Sequence, residues 1–485
     1  MGTPHPLSYG RGSNKGRFGQ IGQASFVNAY VEDLGEEGKT PFSAVAINGQ
    51  ELFSTLTGSV DVGGIPIMLP LEENNLLLAI MGRNLFAINA DGSQSLVGGI
   101  PSDGVPSMAR NRFTPNPQVV ITRDGSWYIY SGGSLNVGAD PDLPPPVNVF
   151  EVQGYFMFPI PDGRFFLAGP NSTLVDAIDF AEAEAGADGN VWGESRGRTA
   201  IFFGFKTTEF WDPNGDPVFP FGFTTAINFG CYAGGSVAKL PIVRGKTASD
   251  TIVYAATDHD GSYFGVVTLD GYTPTIISTP EVDRAIVAEP DKSSIRSMGF
   301  TEDGRSVYII SGSTFSYCYD VKSANWHERR SAGQSRWNRS CHAFFNGQVL
   351  FGDSAQPKIY RSSKDLTDEA GSPIIWQIQI PPISGWPRGF KVNELSVDMV
   401  SGVGTTLGPS TDTNPELLID YTKDGGVSWA STRRCPLGAA GQRQTRVHEH
   451  AFGRFDHNGV TFRFTCSANV KKALQQIAID ISPLR

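Results

Sequence analysis

Residues 118–130 read Gln-Val-Val-Ile-Thr-Arg-Asp-Gly-Ser-Trp-Tyr-Ile-Tyr. Two short runs of β-branched and aromatic side chains flank an Asp-Gly pair. That pair accepts the positive φ angles a two-residue hairpin turn requires. The segment therefore predicts two antiparallel strands, Val119–Thr122 and Trp127–Tyr130. The same unit recurs: Leu76–Ile80 pairs with Asn84–Ile88 and Gly154–Phe158 with Arg164–Leu167. Ala200–Gly204, Thr251–Ala255, Tyr263–Val267 and Ser306–Ile310 are further strand-like runs. Asp-Gly occurs nine times and Asn-Gly four times, so turn signals arrive at short, regular spacing. Short strands punctuated in this way mean a sandwich, barrel or propeller. Successive hairpins fit four-stranded propeller blades, and roughly 350 residues at about 40–50 per blade give six to eight of them.

Composition agrees with an all-β class. Gly (56) and Pro (32) make up 88 of 485 residues, which disfavours long helices. Hydrophobic residues at 40% and aromatics at 11% provide ample core-forming surface and exclude a disordered chain. No apolar run is long enough to cross a bilayer as a helix, and residues 1–20 lack a secretory signal's apolar stretch. No membrane is expected. The five cysteines are odd in number, widely spaced and without a CxxC pair, so they read as reduced, buried thiols.

One segment breaks the β pattern. Leu174, Ile178, Ala181 and Ala185 are spaced like one face of a helix. Near residue 373 the punctuation changes, and Val392–Met399, Glu416–Thr422, Thr461–Thr465 and Gln475–Ile481 alternate with period two. The domain reading is therefore a basic, Gly-rich arm (1–20), a propeller (21–372), a linker (373–390) and a small β-sandwich (391–485).

Charge is distributed unevenly. The net charge is −10, which disfavours general nucleic-acid binding, yet residues 1–20 and 386–485 each carry +3, leaving −16 for the middle. Such a sign pattern suits docking against several surfaces. In the arm, Arg11, Lys15 and Arg17, with Lys471 and Lys472, are candidates to face DNA through non-specific phosphate contacts. Arg433, Arg434, Arg443, Arg446 and Arg454 are candidates for partner contacts. So are two stiff loops, one at Asp140 with Pro144 and Pro145, the other beginning at Trp211.

Enzyme signatures are sparse: GxSxG, HExxH and P-loop motifs are absent. His448-Glu449-His450 sets two imidazoles on one strand face with no third ligand placed by spacing, so no metal and no cofactor is assigned. Thr422-Lys-Asp424-Gly-Gly426-Val-Ser428-Trp429 is similar to the Asp-box of sialidases, where it is turn chemistry away from the active site. The rival class, a propeller glycosidase or glycan-binding protein, would need two carboxylates facing one cleft.

Several segments together carry a resemblance. They are Phe26-Val-Asn-Ala-Tyr-Val-Glu32, Pro106–Asn111, Ala177–Glu184, Phe203-Gly-Phe-Lys-Thr-Thr-Glu-Phe-Trp211, Phe219-Pro-Phe221, Ile227–Cys231, Tyr421–Trp429 and Phe452-Gly-Arg454. In this order the chain resembles the packaged-DNA-stabilisation, or tail-hub, proteins of short-tailed bacteriophages. The resemblance implies a propeller body and a homo-oligomeric, six-fold ring below the portal and its head–tail adaptor. It also implies contacts to a tail needle or plug and to tailspikes or fibres. A structural virion component of the tail, made in the host cytoplasm and without enzymatic activity, is the expectation. The arm 1–20 has no counterpart in the resemblance.

Overall fold

The computed structural model describes residues 4–183, 186, 188–244 and 247–484. Asp124 and Gly125 both adopt positive φ (51° and 74°), and Val119–Arg123 pairs with Ser126–Ser131 across them. The other predicted hairpins form as well: Leu76–Met81 with Asn84–Asn89, and Tyr155–Pro159 with Arg164–Ala168.

Among the described residues, seven sheets of this kind form the propeller. The first four span 67–99, 107–137, 150–182 and 190–227, each a four-stranded meander. The fifth is built on Ala238–Arg244, Thr247–Asp258, Phe264–Asp270 and Thr273–Ile276. The sixth runs from Arg296–Glu302 to Asn325–Glu328. The seventh joins Arg339–Phe345, Gln348–Asp353 and Lys358–Ser363 to Gly49–Thr55, a strand that precedes the first blade in the chain. Ring closure thus comes from an exchange between the two ends of the propeller segment, and Arg339–Phe345 sits against Ile67–Leu71 of the first blade.

The segment expected to be helical is instead the outermost strand of the third blade, Val175–Glu182. Its ladder slips register between Phe166 and Ala168, which disturbs the alternation and leaves a helix-like spacing of apolar residues. Phe180 stacks on Phe166 at 5.4 Å, holding the strand in place. Leu174 and Ile178 are exposed, and Ala185 lies outside the described residues. The nine-residue helix is Pro280–Ala288, with proline at its first turn and Glu281 and Asp283 near its N-terminus.

The sandwich also departs from the sequence reading. One of its sheets pairs Ala29–Asp33, Phe42–Ala46, Ala473–Pro483, Phe390–Met399 and Val447–Phe455, with His5–Leu7 added on Ala473–Pro483. The other pairs Gln23–Val27, Trp376–Gln379, Thr461–Cys466, Glu416–Thr422 and Arg433–Pro436. Residues 23–46, read as propeller, and 5–7, read as a free arm, therefore lie in the sandwich. Trp376–Gln379, read as linker, is a central strand whose Trp376 and Ile378 are fully buried. The physical reason is core size. Tyr9, Phe26, Ala29, Val31 and Ala44 from the N-terminal segment complete one cluster with Leu395, Leu417, Ile419, Phe462 and Phe464. The propeller is an insertion within the sandwich.

A fragment limited to residues 376–485 lacks five of those core side chains, and losing a buried Phe alone costs about 3–5 kcal/mol. We expect it to show no cooperative thermal transition by circular dichroism. Residues 1–48 joined to 373–485 by a short Gly/Ser linker should show one. A sharp transition in the lone fragment would mean the N-terminal strands are dispensable.

Candidate assembly surfaces and central channel

Asn28 stands where the domains meet. It follows Val27, whose backbone pairs in parallel with Glu328 of the sixth blade, so one sheet runs continuously from blade into sandwich. Asn28 is 1% exposed and holds φ at 51°, a left-handed conformation Asn tolerates better than most residues. Its Nδ2 donates to the carbonyls of Arg330 (2.9 Å) and Ile375 (3.0 Å), and its Oδ1 accepts from the Arg330 amide at 2.9 Å. Its backbone carbonyl accepts from Ile47. One residue, through its side chain and its backbone carbonyl, thereby ties together both points at which the chain crosses between domains.

Buried charge surrounds this point. Arg305 lies 3.3 Å above the Tyr30 ring and 3.3 Å from Asp320; Arg329 is 3.8 Å from Glu302 and packs on Trp337 at 5.0 Å. Arg339 bonds Asp353 and Glu369, both at 3.0 Å, and donates from Nε to Gln50 of the closing strand at 2.8 Å. No local pattern in the sequence marks these residues, because their partners lie up to 289 positions away.

His327 is 2% exposed; burial, with Arg329 and Arg305 beside it, holds its pKa well below the ordinary histidine value. Burial also lowers His342, on the channel wall, to about 4. Both stay neutral in the folded state while the unfolded chain takes up protons near pH 6.5. Stability is therefore flat above about pH 7 and falls as pH drops from 6.5 towards 5. Each histidine contributes up to about 1.4 kcal/mol per pH unit. Urea midpoints measured across that window check this, and a pH-independent midpoint would refute it.

The structure separates the predicted site residues into distinct groups. Lys472 cannot face DNA: it is 3% exposed, donates to the Ile374 carbonyl at 2.8 Å, and burial lowers its pKa. Lys15 is likewise committed inward, to Glu281 and Glu328. Burial favours the protonated form of Glu328, but Lys15 and Arg330 outweigh it and hold the carboxyl below its usual range. Arg11 covers the Phe42 ring at 4.7 Å, and Lys471 lies 3.9 Å from Asp365. Arg17 is exposed on a hairpin tip that packs against the Asp-box turn, where Gln23 Nε2 bonds the Gly425 carbonyl. In that turn, bonds from Ser428 and Thr422 hold the Asp424 carboxyl well below its usual range. A side chain at Gly19 would collide with the Gly425 carbonyl, so this close approach requires glycine.

Among the partner-contact candidates, Trp211 is buried, with its indole N–H on Glu209 and its ring against Phe165 at 5.0 Å. It is a core residue of the third and fourth blades, because its strand position points inward. Asp140 is a fastener, its Oδ2 accepting from the Val175 amide at 3.1 Å. Leu143 beside it is in an interblade core, while Pro145 is exposed and Pro144 half-buried. Arg433 pairs with Glu449 at 3.0 Å and stacks on Phe452 at 3.9 Å; Arg434 pairs with Glu416 at 3.0 Å. Arg443, Arg446 and Arg454 are exposed.

His448 and His450 do share one face, gathered around Glu394 at 3.3 and 3.9 Å. Among the described residues no group of three or more His, Cys, Asp and Glu side chains is placed to hold a metal ion. No described helix is long and apolar enough to cross a membrane. All five cysteines are free and buried, and burial pushes the Cys231 and Cys341 thiols up to about 12.

A cavity of about 750 Å³ opens between the innermost strands of the blades. Trp192, Glu194, Lys239, Arg296, His342 and Phe344 line it, and Glu194 is its single acid, paired with Lys239 at 2.8 Å. The two facing carboxylates that glycoside hydrolysis needs are not brought together there.

Two family profiles match this architecture part by part. Residues 49–367 match the β-propeller of bacteriophage P22 Gp10, and residues 376–482 match the β-sandwich of the same protein. The chain belongs to the Gp10 family. It is thus a bacteriophage structural protein of the tail and DNA-stabilisation class, and the resemblance read from residues 26–454 holds across both domains. No curated sequence matches the chain. Among solved structures, the WD40 domain of Neurospora crassa Pan2 is similar at 9% identity and TM-score 0.41, covering 65% of this chain and 95% of that one. A streptogramin B lyase is similar at 11% identity and TM-score 0.40, covering 65% and 97%. The Gp10-family sandwich profile begins at the Trp376 strand, whereas the folded sandwich also takes in residues 5–46.

Proposed function

We propose that this protein is a tail hub: a homo-oligomeric, six-fold ring that joins the head–tail adaptor to the tail needle or plug and to tailspikes or fibres, and that helps retain packaged DNA in the virion. The Gp10-family match over both domains carries this reading. The architecture is suited to it. An inserted propeller, clamped at Asn28 and fused to the sandwich by a continuous sheet, is a rigid body that loses little freedom on assembly. The mechanism is positional: the ring occludes the exit path, touches DNA at most through non-specific backbone contacts, and performs no chemistry. DNA release follows loss or rearrangement of a partner.

Single-particle imaging of the purified protein, alone and with its adaptor, tests the proposal. A six-fold ring with an axial channel supports it; monomers in both samples overturn it.

A further inference from the structure

Among the sheet edges that end without a further strand, two carry opposite charge. The first is Val175–Glu182, the outer edge of the third blade. Asp176 and Asp179 lie on it, and burial, with the negative charge of Asp176 beside it, raises the Asp179 carboxyl pKa. Leu174 and Ile178, each 76% exposed, accompany them. The second is Val447–Phe455, the last strand of one sandwich sheet, whose His450 and Ala451 carbonyls accept from Arg433. A groove of about 580 Å³ opens on the face of that sheet, with exposed Pro4 and Pro6 as its apolar wall, the Lys39–Asp398 pair in its lining, and Arg443 and Arg446 at its rim. Arg433, Arg434 and Arg463 each hold a carboxylate of their own chain. Arg443 and Arg446 are exposed and make no side-chain ion pair or hydrogen bond among the described residues.

The two edges lie at opposite ends of the molecule. The sandwich joins the sixth blade through Val27 and the seventh through Gly49–Thr55. In a ring of seven, the third blade is three steps from each. Exposed surfaces of opposite charge select one another as partners.

We infer that the acidic edge of the third blade in one copy docks on the Arg443–Arg446 groove of the next. Contact between unlike surfaces at opposite ends propagates from copy to copy and closes into a ring when the rotation allows. This inference rests on the self-assembling reading above and names its interface. Leu174 and Ile178 meet the Pro4–Pro6 wall, while Asp176 and Asp179 meet the arginines.

Charge reversal on each side separates the possibilities. Arg443→Glu with Arg446→Glu makes groove and edge both acidic; Asp176→Lys with Asp179→Lys makes both basic. Each variant alone should assemble on the order of 100-fold more weakly than wild type by mass photometry, since like charges are juxtaposed. An equimolar mixture should reassemble, because each contact then pairs opposite signs. Melting temperatures verify folding, and the neutral pairs Arg443→Gln with Arg446→Gln and Asp176→Asn with Asp179→Asn replace any variant that does not fold. Wild-type assembly with variants that assemble equally well, or a mixture that stays dissociated, overturns this interface while leaving the hub reading intact. A wild type that stays monomeric alone and with its adaptor overturns both.

Discussion

Replacing Asn28 with alanine should lower the unfolding free energy by about 3–4 kcal/mol and open the link between the domains. The change strands three half-buried backbone groups, the Arg330 amide and the Arg330 and Ile375 carbonyls. Buried groups left unpaired cost about 1–3 kcal/mol each, part of which relaxation recovers. Alanine also resists the φ of 51° found here. Asn28→Gly relieves the backbone cost but not the lost bonds, so it should fall about 1 kcal/mol short of the alanine effect. Urea unfolding monitored by tryptophan fluorescence gives the magnitudes. Limited proteolysis near residues 47–49 and 364–375 reports whether the junction opens. An Asn28→Ala protein within about 0.5 kcal/mol of wild type would show the clamp to be idle.

The second large effect concerns ring closure. Arg339→Met should cost about 3–5 kcal/mol, because it leaves Asp353 and Glu369, both nearly inaccessible, without their cation. It also removes the bond to Gln50 that fastens the closing strand. Arg339→Lys should recover only part, since one ammonium cannot serve Asp353, Glu369 and Gln50 in the guanidinium's planar geometry. Adding Asp353→Asn and Glu369→Gln to Arg339→Met should restore much of the stability by removing the uncompensated charges. Glu369 also accepts from Ser331 and Trp337, bonds that glutamine can keep through its oxygen. Chemical denaturation of the three proteins is the check. An Arg339→Met loss under about 1 kcal/mol would mean closure rests on the strand ladder and not on this ion cluster.

The site residues were less legible than the fold, and the particular failures share a cause. Lys15 and Lys472 look like any basic residues in a chain terminus, yet one neutralises Glu281 and Glu328 and the other is sealed beneath Ile374. Trp211 follows a motif rich in aromatics and precedes a Pro-rich loop, which suggests exposure, but its strand register turns it into a core between blades. Val175–Glu182 imitates a helix because a bulge interrupts its alternation. Conversely, Asn28 and Tyr30 stand inside the first family-like segment, and only the structure assigns them a task, the domain clamp and the platform for Arg305.

Hairpins such as 119–131 follow from the sequence alone, because an Asp-Gly turn and its flanking strands are specified by neighbours a few positions apart. The all-β class, the propeller body and the terminal sandwich rest on repetition of that local rule. Blade number, the closing of the seventh blade by Gly49–Thr55, and the threading of the propeller through the sandwich were decided only in three dimensions. They depend on pairings such as Gln50 with Ser362 and Val27 with Glu328, between segments some 300 residues apart. No local signal encodes such pairings. They are selected by whether a whole core fills and whether each buried charge finds its partner.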